Sequence, residues 1–373
     1  MEYLDVGGGL GIDYDGSQSN FESSVNYTLQ EYSNDIVFRL KSVCDEAGVK
    51  HPTIISESGR AVVAYHSVLV FNILGVSGFD EFQLPASLQD KVPQLLSDLY
   101  WIAHNLSKKH FLEAYHDAVQ LREEALNLFN FGYLSLEQRS ISENLYWSIC
   151  RTLLDIIREL DYVPDEFSNL ETLISDTYFC NYSVFQSMPD SWAIGQLFPI
   201  APIHHLTEEP TRRAILADIT CDSDGRVDRF IDLHGVKSVL PLNPFNGEPY
   251  YLAAFLVGAY QEILGDLHNL LGDTNAVHVS QELGGEVIVN HVVKGDRVSE
   301  VLSYVQYNTD ELLSLMREAV EQAVRKKKIT LEESGRFLRF YESSLDGYTY
   351  LEAGPIQSTK QLRDISCMNT PPH

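Results

Sequence analysis

Apolar residues recur at two different spacings along this 373-residue chain, and the change of spacing divides it. At the start, Tyr3-Leu4-Asp5-Val6 is a short extended stretch that runs into Gly7-Gly8-Gly9-Leu10-Gly11. Ile36, Val37, Leu40, Val43 and Cys44 then repeat at helical spacing, predicting a helix over 24–47 that Gly48 stops. Residues 53–56 read as a short buried strand, followed at once by Glu57-Ser58-Gly59-Arg60. Strand, glycine loop, helix and strand in that order describe an α/β unit with a parallel sheet. In such sheets and barrels chemistry sits at the carboxyl ends of strands, where both the glycine loop and Glu57–Arg60 fall. Residues 62–76 continue apolar and are expected to leave this layer.

The pattern changes near Pro85. From 88 to 160 glycine is scarce and three helical stripes follow one another. The first holds Val92, Leu95, Leu96, Leu99, Ile102 and Leu106. The second holds Phe111, Ala114, Tyr115, Ala118, Val119 and Leu126. Ser135 with Gln138 makes a capping box before the third, carried by Ile141, Leu145, Ile149, Leu153 and Ile156. This is a helical bundle whose stripes form its core, with Arg122, Glu123 and Glu124 expected in solvent. Residues 178–185 alternate like a strand, and 188–192 read as a turn or short helix. A β-rich region follows, with strands expected at 227–233, 238–242, 250–257, 276–279, 286–293 and 301–304. Residues 309–328 form an amphipathic helix whose basic end, Arg325–Lys328, suits the helix dipole. Thr330 with Glu333 caps a last helix through Phe340, and the tail from 353 looks loose. The expected parts are therefore 1–85, 86–165, 166–308 and 309–373.

Charge narrows the possible partners. The net charge is −26, from 53 acidic and 27 basic residues, so nucleic acid would be repelled and a cationic small substrate drawn in. No run of about 18 apolar residues marks a transmembrane helix. The first residues lack the basic and apolar regions of a secretory leader. The five cysteines, none in a C-x-x-C pair, read as reduced cytoplasmic thiols rather than a disulfide frame or zinc site. His204-His205 are adjacent and lack metal-ligand spacing.

Four clusters could carry chemistry. Successive N–H groups of a glycine-rich loop can cradle phosphate, although Ile12 breaks the dinucleotide fingerprint counted from Gly7. Glu57 and Arg60, separated by Gly59, could face one ligand or form a strand-end ion pair. Cys221-Asp222-Ser223-Asp224-Gly225 is an acidic loop without the EF-hand pattern, open to reading as a plain turn. Gly258-Ala259-Tyr260 ends an apolar strand, where a tyrosine commonly packs.

Taken in order, these clusters resemble the C-terminal part of the biosynthetic arginine decarboxylases, within the pyridoxal-phosphate ornithine/diaminopimelate/arginine group. That group shows Gly-Gly-Gly, Glu-Pro-Gly-Arg, Cys-Asp and Gly-Ala-Tyr; Ser58 stands here for the proline. Residues 4–14, 179–199, 217–225 and 252–269 resemble the arginine branch in particular, as does a helical bundle set between barrel and β-domain. The fold implied is α/β plus all-β plus α: the end of an alanine-racemase-like (β/α)8 barrel, an inserted bundle, a β-barrel or sandwich domain and a C-terminal helical domain.

The resemblance implies cofactor binding by Gly7, Gly8, Gly9, Gly59, Arg60 and Tyr260, with Glu57 at the pyridine nitrogen. It implies that Cys221 protonates the substrate α-carbon and that Asp222 receives the cationic end of the substrate, both from a partner subunit of an obligate dimer. Substrate contacts are expected from Leu4, Asp5, Val6, Gly7, Gly8, Gly9, Leu10, Gly11, Ile12, Asp13 and Tyr14. Asp190 either meets the guanidinium or caps a helix. The implied reaction converts L-arginine to agmatine and carbon dioxide for polyamine synthesis. Magnesium is a family expectation for which the sequence offers no site.

The family's Schiff-base lysine and its ring-stacking histidine lie upstream of the glycine loop. Lys41, Lys50, Lys91, Lys108, Lys109, Lys237, Lys294 and Lys360 match no such motif. The expectation is an N-terminally truncated chain, inactive by itself. The competing readings are a non-catalytic regulatory paralogue that dimerises with a complete subunit, and a decarboxylase for ornithine or diaminopimelate.

Overall fold

The computed structural model describes residues 1–78, 84, 88, 92–160, 162–167, 169–233 and 235–351. Its first unit is small. Strand β1 (Tyr3–Asp5) pairs in parallel with β2 (Thr53–Ile55), and helix α1 (Leu29–Ala47) joins them. The helix starts at Leu29, five residues later than its apolar spacing predicts, because Thr28 caps it: the Thr28 hydroxyl accepts from Glu31 N–H at 3.1 Å, and Glu31 accepts from Thr28 N–H at 2.7 Å. Gly48 ends it in the left-handed conformation at φ 62°, as expected. Tyr32, Ile36, Leu40 and Cys44, four apart, form its less exposed face.

Residues 59–77 leave this layer as a short helix α2 (Gly59–Val63) and a long strand β3 (Val68–Ser77). The bundle follows as α3 (Gln94–Asn105), α4 (Phe111–Asn130) and α5 (Leu136–Arg158), with α6 (Leu170–Ile174) against α5. Its stripes meet as predicted: Leu96, Leu99, Ala118, Leu145, Ile149 and Leu153 are wholly buried. The Ser135–Gln138 box caps α5. Leu126 and Ile156 sit at the margin, and Ile157 is buried instead. Arg122 is only partly in solvent. It pairs with Glu143 at 3.0 Å and lies over the rings of Tyr146 and Trp147, at 4.7 and 5.2 Å, because its stem can cover apolar surface. Glu123 and Glu124 are exposed as expected.

The remainder builds on a seven-stranded sheet. Strands β4 (Asp176–Cys180), β5 (Ile200–Pro202), β6 (Arg212–Ala217), β7 (Arg226–Val227), β10 (Leu240–Leu242) and β11 (Tyr251–Phe255) join β3 in the order β10-β6-β4-β3-β11-β5, with β7 beside β6. Only β4 and β6 run parallel among these pairs. Short strands β8 (Phe230–Asp232) and β9 (Gly235–Lys237) make a separate hairpin, as do β12 (Ala276–Gln281) and β13 (Val287–Val293). Helices α7 (Val184–Ser187), α8 (Pro189–Ala193) and α9 (Gln261–Leu264) lie between the strands. The strand expected over 178–185 stops at Cys180, since the Ser183 hydroxyl caps α7 by accepting from Gln186 N–H. The stretch 227–233 divides between β7 and β8.

Residues 301–304 are helical, within α10 (Val298–Tyr304), not a strand: Glu300 accepts from Arg297 N–H at 2.8 Å and starts the turn. A short apolar run cannot by its spacing separate strand from buried helix. Helices α11 (Thr309–Arg325) and α12 (Leu331–Leu345) are the last helices among the described residues, with the Thr330–Glu333 box in place. The boundary at Pro85, Lys91, Lys360 and the tail from 353 lie outside the described residues.

Candidate active site

The carboxyl ends of β1 and β2 enter two loops held side by side. Val6 N–H donates to Ile55 O at 2.9 Å, and Glu57 N–H donates to Gly7 O at 2.8 Å. Gly8 lies so close to Glu57 that a Cβ there would stand 2.6 Å from the Glu57 carbonyl oxygen. Gly7 and Gly9 take φ 78° and 83°, where glycine is favoured. The glycine loop and the Glu57–Arg60 turn thus form one surface, although their side chains are 50 residues apart in sequence.

The segment after the loop is packing as much as site. Leu10, Ile12 and Tyr14 are buried, and Ile12 and Tyr14 belong to the core of the seven-stranded sheet with Phe71, Tyr178 and Leu216. Tyr14 meets Phe198 edge-on at 5.5 Å. Asp5 accepts from Gly7 N–H at 2.8 Å, and Asp13 from the Ser24 hydroxyl at 2.7 Å, so both carboxylates shape the loop.

The third cluster arrives from the far end of β11. Gly258 N–H donates to Ala64 O at 3.1 Å and seats Gly258-Ala259-Tyr260 against α2. The Arg60 guanidinium then lies 5.4 Å from the centre of the Tyr260 ring, and a Cβ on Gly59 would be 3.4 Å from the Tyr260 hydroxyl. Tyr260 itself has φ 71°. Arg60 Nε is buried without a hydrogen-bond partner. Burial pushes the Tyr14 phenol pKa up; the Arg60 cation pulls it back, while Asp190 and Tyr65 push it further up. Tyr14, Arg60, Tyr65 and Asp190 therefore share one neighbourhood.

Asp190 is the second residue of α8 and does not cap it, since Met188 stands at the N-cap and no side chain caps the helix; Gln261 holds Asp190 instead. The Gln261 amide donates to Asp190 Oδ2 at 2.8 Å and to Ala259 O at 2.8 Å, and its oxygen accepts from Asp190 N–H at 3.2 Å. Gln261 is buried next to Tyr260 in sequence, and its apolar neighbours gave no sign of it. Cys221 and Asp222 form a further cluster on the exposed loop after β6. Asn269 Oδ1 accepts from Cys221 N–H at 3.2 Å and from its thiol at 3.7 Å. Asp222 Oδ2 is 3.4 Å from His268 Nε2, and the His268 ring centre lies 4.1 Å from that of Phe185, the planes tilted by 37°. Behind the loop, buried Asp218 accepts from Val184 N–H at 2.9 Å and from the Thr220 hydroxyl at 2.7 Å. Burial raises its pKa against those hydrogen bonds. Asp218, Gln261, His268 and Asn269 are site-region residues that sequence spacing did not single out.

A partnerless buried guanidinium nitrogen beside Gly59 and a phenol suits a phosphate ester, so these residues fit the phosphate end of pyridoxal phosphate. Among the described residues no group of three or more His, Cys, Asp and Glu side chains is placed to hold a metal ion. No helix among them is long and apolar enough to cross a membrane.

The β-α-β unit with its phosphate-suited loops is that of the pyridoxal-dependent decarboxylases: residues 1–64 match the family described as "Pyridoxal-dependent decarboxylase, pyridoxal binding domain". Residues 89–171 match "Arginine decarboxylase helical bundle domain" and 298–351 "Arginine decarboxylase C-terminal helical extension". The chain belongs to the arginine decarboxylase family of these pyridoxal-dependent proteins. It is 55% identical over 356 residues to a biosynthetic arginine decarboxylase of Nostoc sp., covering 95% of this chain and 52% of that protein. It is 49% identical to one of Rhodopirellula baltica, covering 94% and 57%. The crystal structure of the Campylobacter jejuni biosynthetic arginine decarboxylase is similar at 31% identity and a TM-score of 0.78, over 95% of this chain and 57% of that one. The chain spans about half the length of the curated relatives it matches.

Proposed function

We propose that this chain forms the phosphate-binding and proton-donating share of an arginine decarboxylase, which converts L-arginine to agmatine and carbon dioxide for polyamine synthesis in the cytoplasm. The observation that carries this reading is the buried, partnerless Arg60 Nε beside Tyr260 and Gly59. An unpaired buried polar group costs on the order of 1–3 kcal/mol, and a phosphate oxygen would remove that cost.

Bound pyridoxal phosphate supplies an electron sink for the charge left on the α-carbon as carbon dioxide departs. Arg60 and Tyr260 bind its phosphate, and Gly7, Gly8, Gly9 and Gly59 let backbone N–H groups approach. The Glu57 carboxylate holds a proton on the ring nitrogen. Asp222 receives the substrate guanidinium and Asp190 flanks it, both as charge partners for a cation. Cys221 Sγ carries the proton delivered to the α-carbon. In this reading Cys221 and Asp222 serve the site of a second copy of the chain, so the assembly is a dimer with shared sites. None of the described lysines matches the motif of the Schiff-base lysine, and Lys41 pairs with Asp45, Lys108 with Glu159 and Lys237 with Asp232. The chain alone is therefore expected to be inactive.

Titration of the purified chain with pyridoxal phosphate and with phosphate-free pyridoxal tests the reading. The phosphate should improve affinity by about tenfold or more, and Arg60→Ala should abolish that preference. A preference that survives Arg60→Ala overturns the assignment. Borohydride reduction followed by peptide mapping checks the lysine statement: one stoichiometric pyridoxyl-lysine would refute it. When the chain is mixed with a family polypeptide that carries the lysine-bearing part of the barrel, carbon dioxide should be released from carboxyl-labelled L-arginine. No release from wild-type chain in that mixture overturns the decarboxylase reading.

A further inference from the structure

Two adjacent residues after α9 hold the loop that carries the proton donor. Asn269 and Leu270 both take left-handed backbone angles, φ 55° and 59°. This conformation is uncommon for a non-glycine residue, and asparagine tolerates it better than leucine. The turn is pinned from both sides: His268 N–H donates to Asp266 O at 2.7 Å, and Asp266 N–H donates to Phe185 O at 3.1 Å. The result is a saddle on which residues 221 and 222 rest. Asn269 Oδ1 faces the Cys221 backbone N–H at 3.2 Å and its thiol at 3.7 Å. His268 stands 3.4 Å from the Asp222 carboxylate. Each member of the Cys-Asp pair thus meets a different member of the His-Asn pair, 48 and 46 residues further along the chain.

We infer that Asn269 is a positioning residue for Cys221: its side-chain oxygen accepts from the thiol proton and from the Cys221 backbone N–H, and so fixes where the sulfur stands until that proton is used. This deepens the decarboxylase reading and rests on it for the use of that proton, but not for the hydrogen bond itself. The chemistry is one-directional. An amide oxygen can accept from S–H but offers nothing to a thiolate, so the contact exists only with the sulfur protonated. A proton donor to carbon needs that form, whereas a nucleophilic cysteine would need the opposite. Cys221 is the exposed member of the four described cysteines; Cys44, Cys150 and Cys180 are buried, so alkylation can read it selectively.

The test is the rate at which iodoacetamide alkylates Cys221 at neutral pH, followed by peptide mass at that residue, in the full chain. Two substitutions separate the hydrogen bond from the backbone. Asn269→Gly keeps the left-handed conformation and removes the acceptor; alkylation should quicken about fivefold, the factor that losing one hydrogen bond of ordinary net strength implies. Asn269→Asp keeps an acceptor in a residue that tolerates the same angles; its rate should equal the wild-type rate or fall below it, because a carboxylate also opposes a thiolate. If Asn269→Gly leaves the rate unchanged, or if both variants quicken it alike, the inference is overturned. The outcome separates from the functional reading: a chain that passes this test yet gives no carbon dioxide release in the complemented mixture keeps the Asn269 role and loses the decarboxylase.

Discussion

Helix α5 buries Leu145, Ile149 and Leu153 completely, whereas α1, with apolar residues at the same four-residue spacing, buries only Cys44. The bundle closes on itself: α3, α4 and α5 all contact one another, and their stripes share one core. The β1–α1–β2 unit has two short strands, and Tyr3, Val37, Phe38, Val43 and Ile55 remain exposed. Its loops are shaped by backbone hydrogen bonds and glycine geometry instead. The region with the stronger core carries no candidate chemistry, and the region with the weaker core carries the phosphate-suited loops. Amphipathic spacing alone therefore does not measure stability; what counts is whether the apolar face meets another.

The largest effect should come from breaking the closed core. Leu145→Ala should destabilise the bundle by about 3 kcal/mol through lost burial and the cavity left behind. Phe38→Ala, at a side chain 71% exposed, should change stability by less than about 0.5 kcal/mol. Urea denaturation followed by circular dichroism checks both; equal effects would erase the contrast. Alkaline pH should come next. Burial pushes the Cys150 thiol pKa up to about 11 from the ordinary 9.0. A raised pKa means that its contribution is complete below pH 9 and lost as pH rises through about 11. By about pH 10.5 the bundle should have lost about 2 kcal/mol, and Cys150→Ala should flatten that slope. The loops should show a local effect only. Gly8→Ala should cost about 1–2 kcal/mol of local stability, because its Cβ meets the Glu57 carbonyl and the loops must part. Amide exchange at Glu57 should quicken while exchange in α5 stays unchanged.

Legibility followed how local the cause was. The capping boxes at Thr330–Glu333 and Ser135–Gln138 were readable because donor and acceptor lie three residues apart. Thr28–Glu31 has the same form but was passed over, since the apolar spacing extended past it. Residues 301–304 were misread because four apolar-rich positions fit both periods. Arg122 was misread because neither Glu143 nor the ring of Trp147 lies within a helical turn of it. The candidate site residues were legible as residue types in order, through resemblance. The partners that hold them, Gln261 and Asn269, were not.

By itself the sequence determined the long helices and several strands, the bundle's inner stripes, the phosphate-suited glycine loop and the family. These depend on spacing, caps and residue type, which act over one or two turns. Only the tertiary structure decided that Arg60 meets Tyr260, that Asn72 accepts from Tyr250 N–H across 178 residues, and that Asn269 faces the Cys221 thiol. Such pairings follow from which surfaces the sheet brings together, and no local period records them. That is why the loop at Gly7–Gly9 could be found in the sequence while the unpaired Arg60 nitrogen beside it could not.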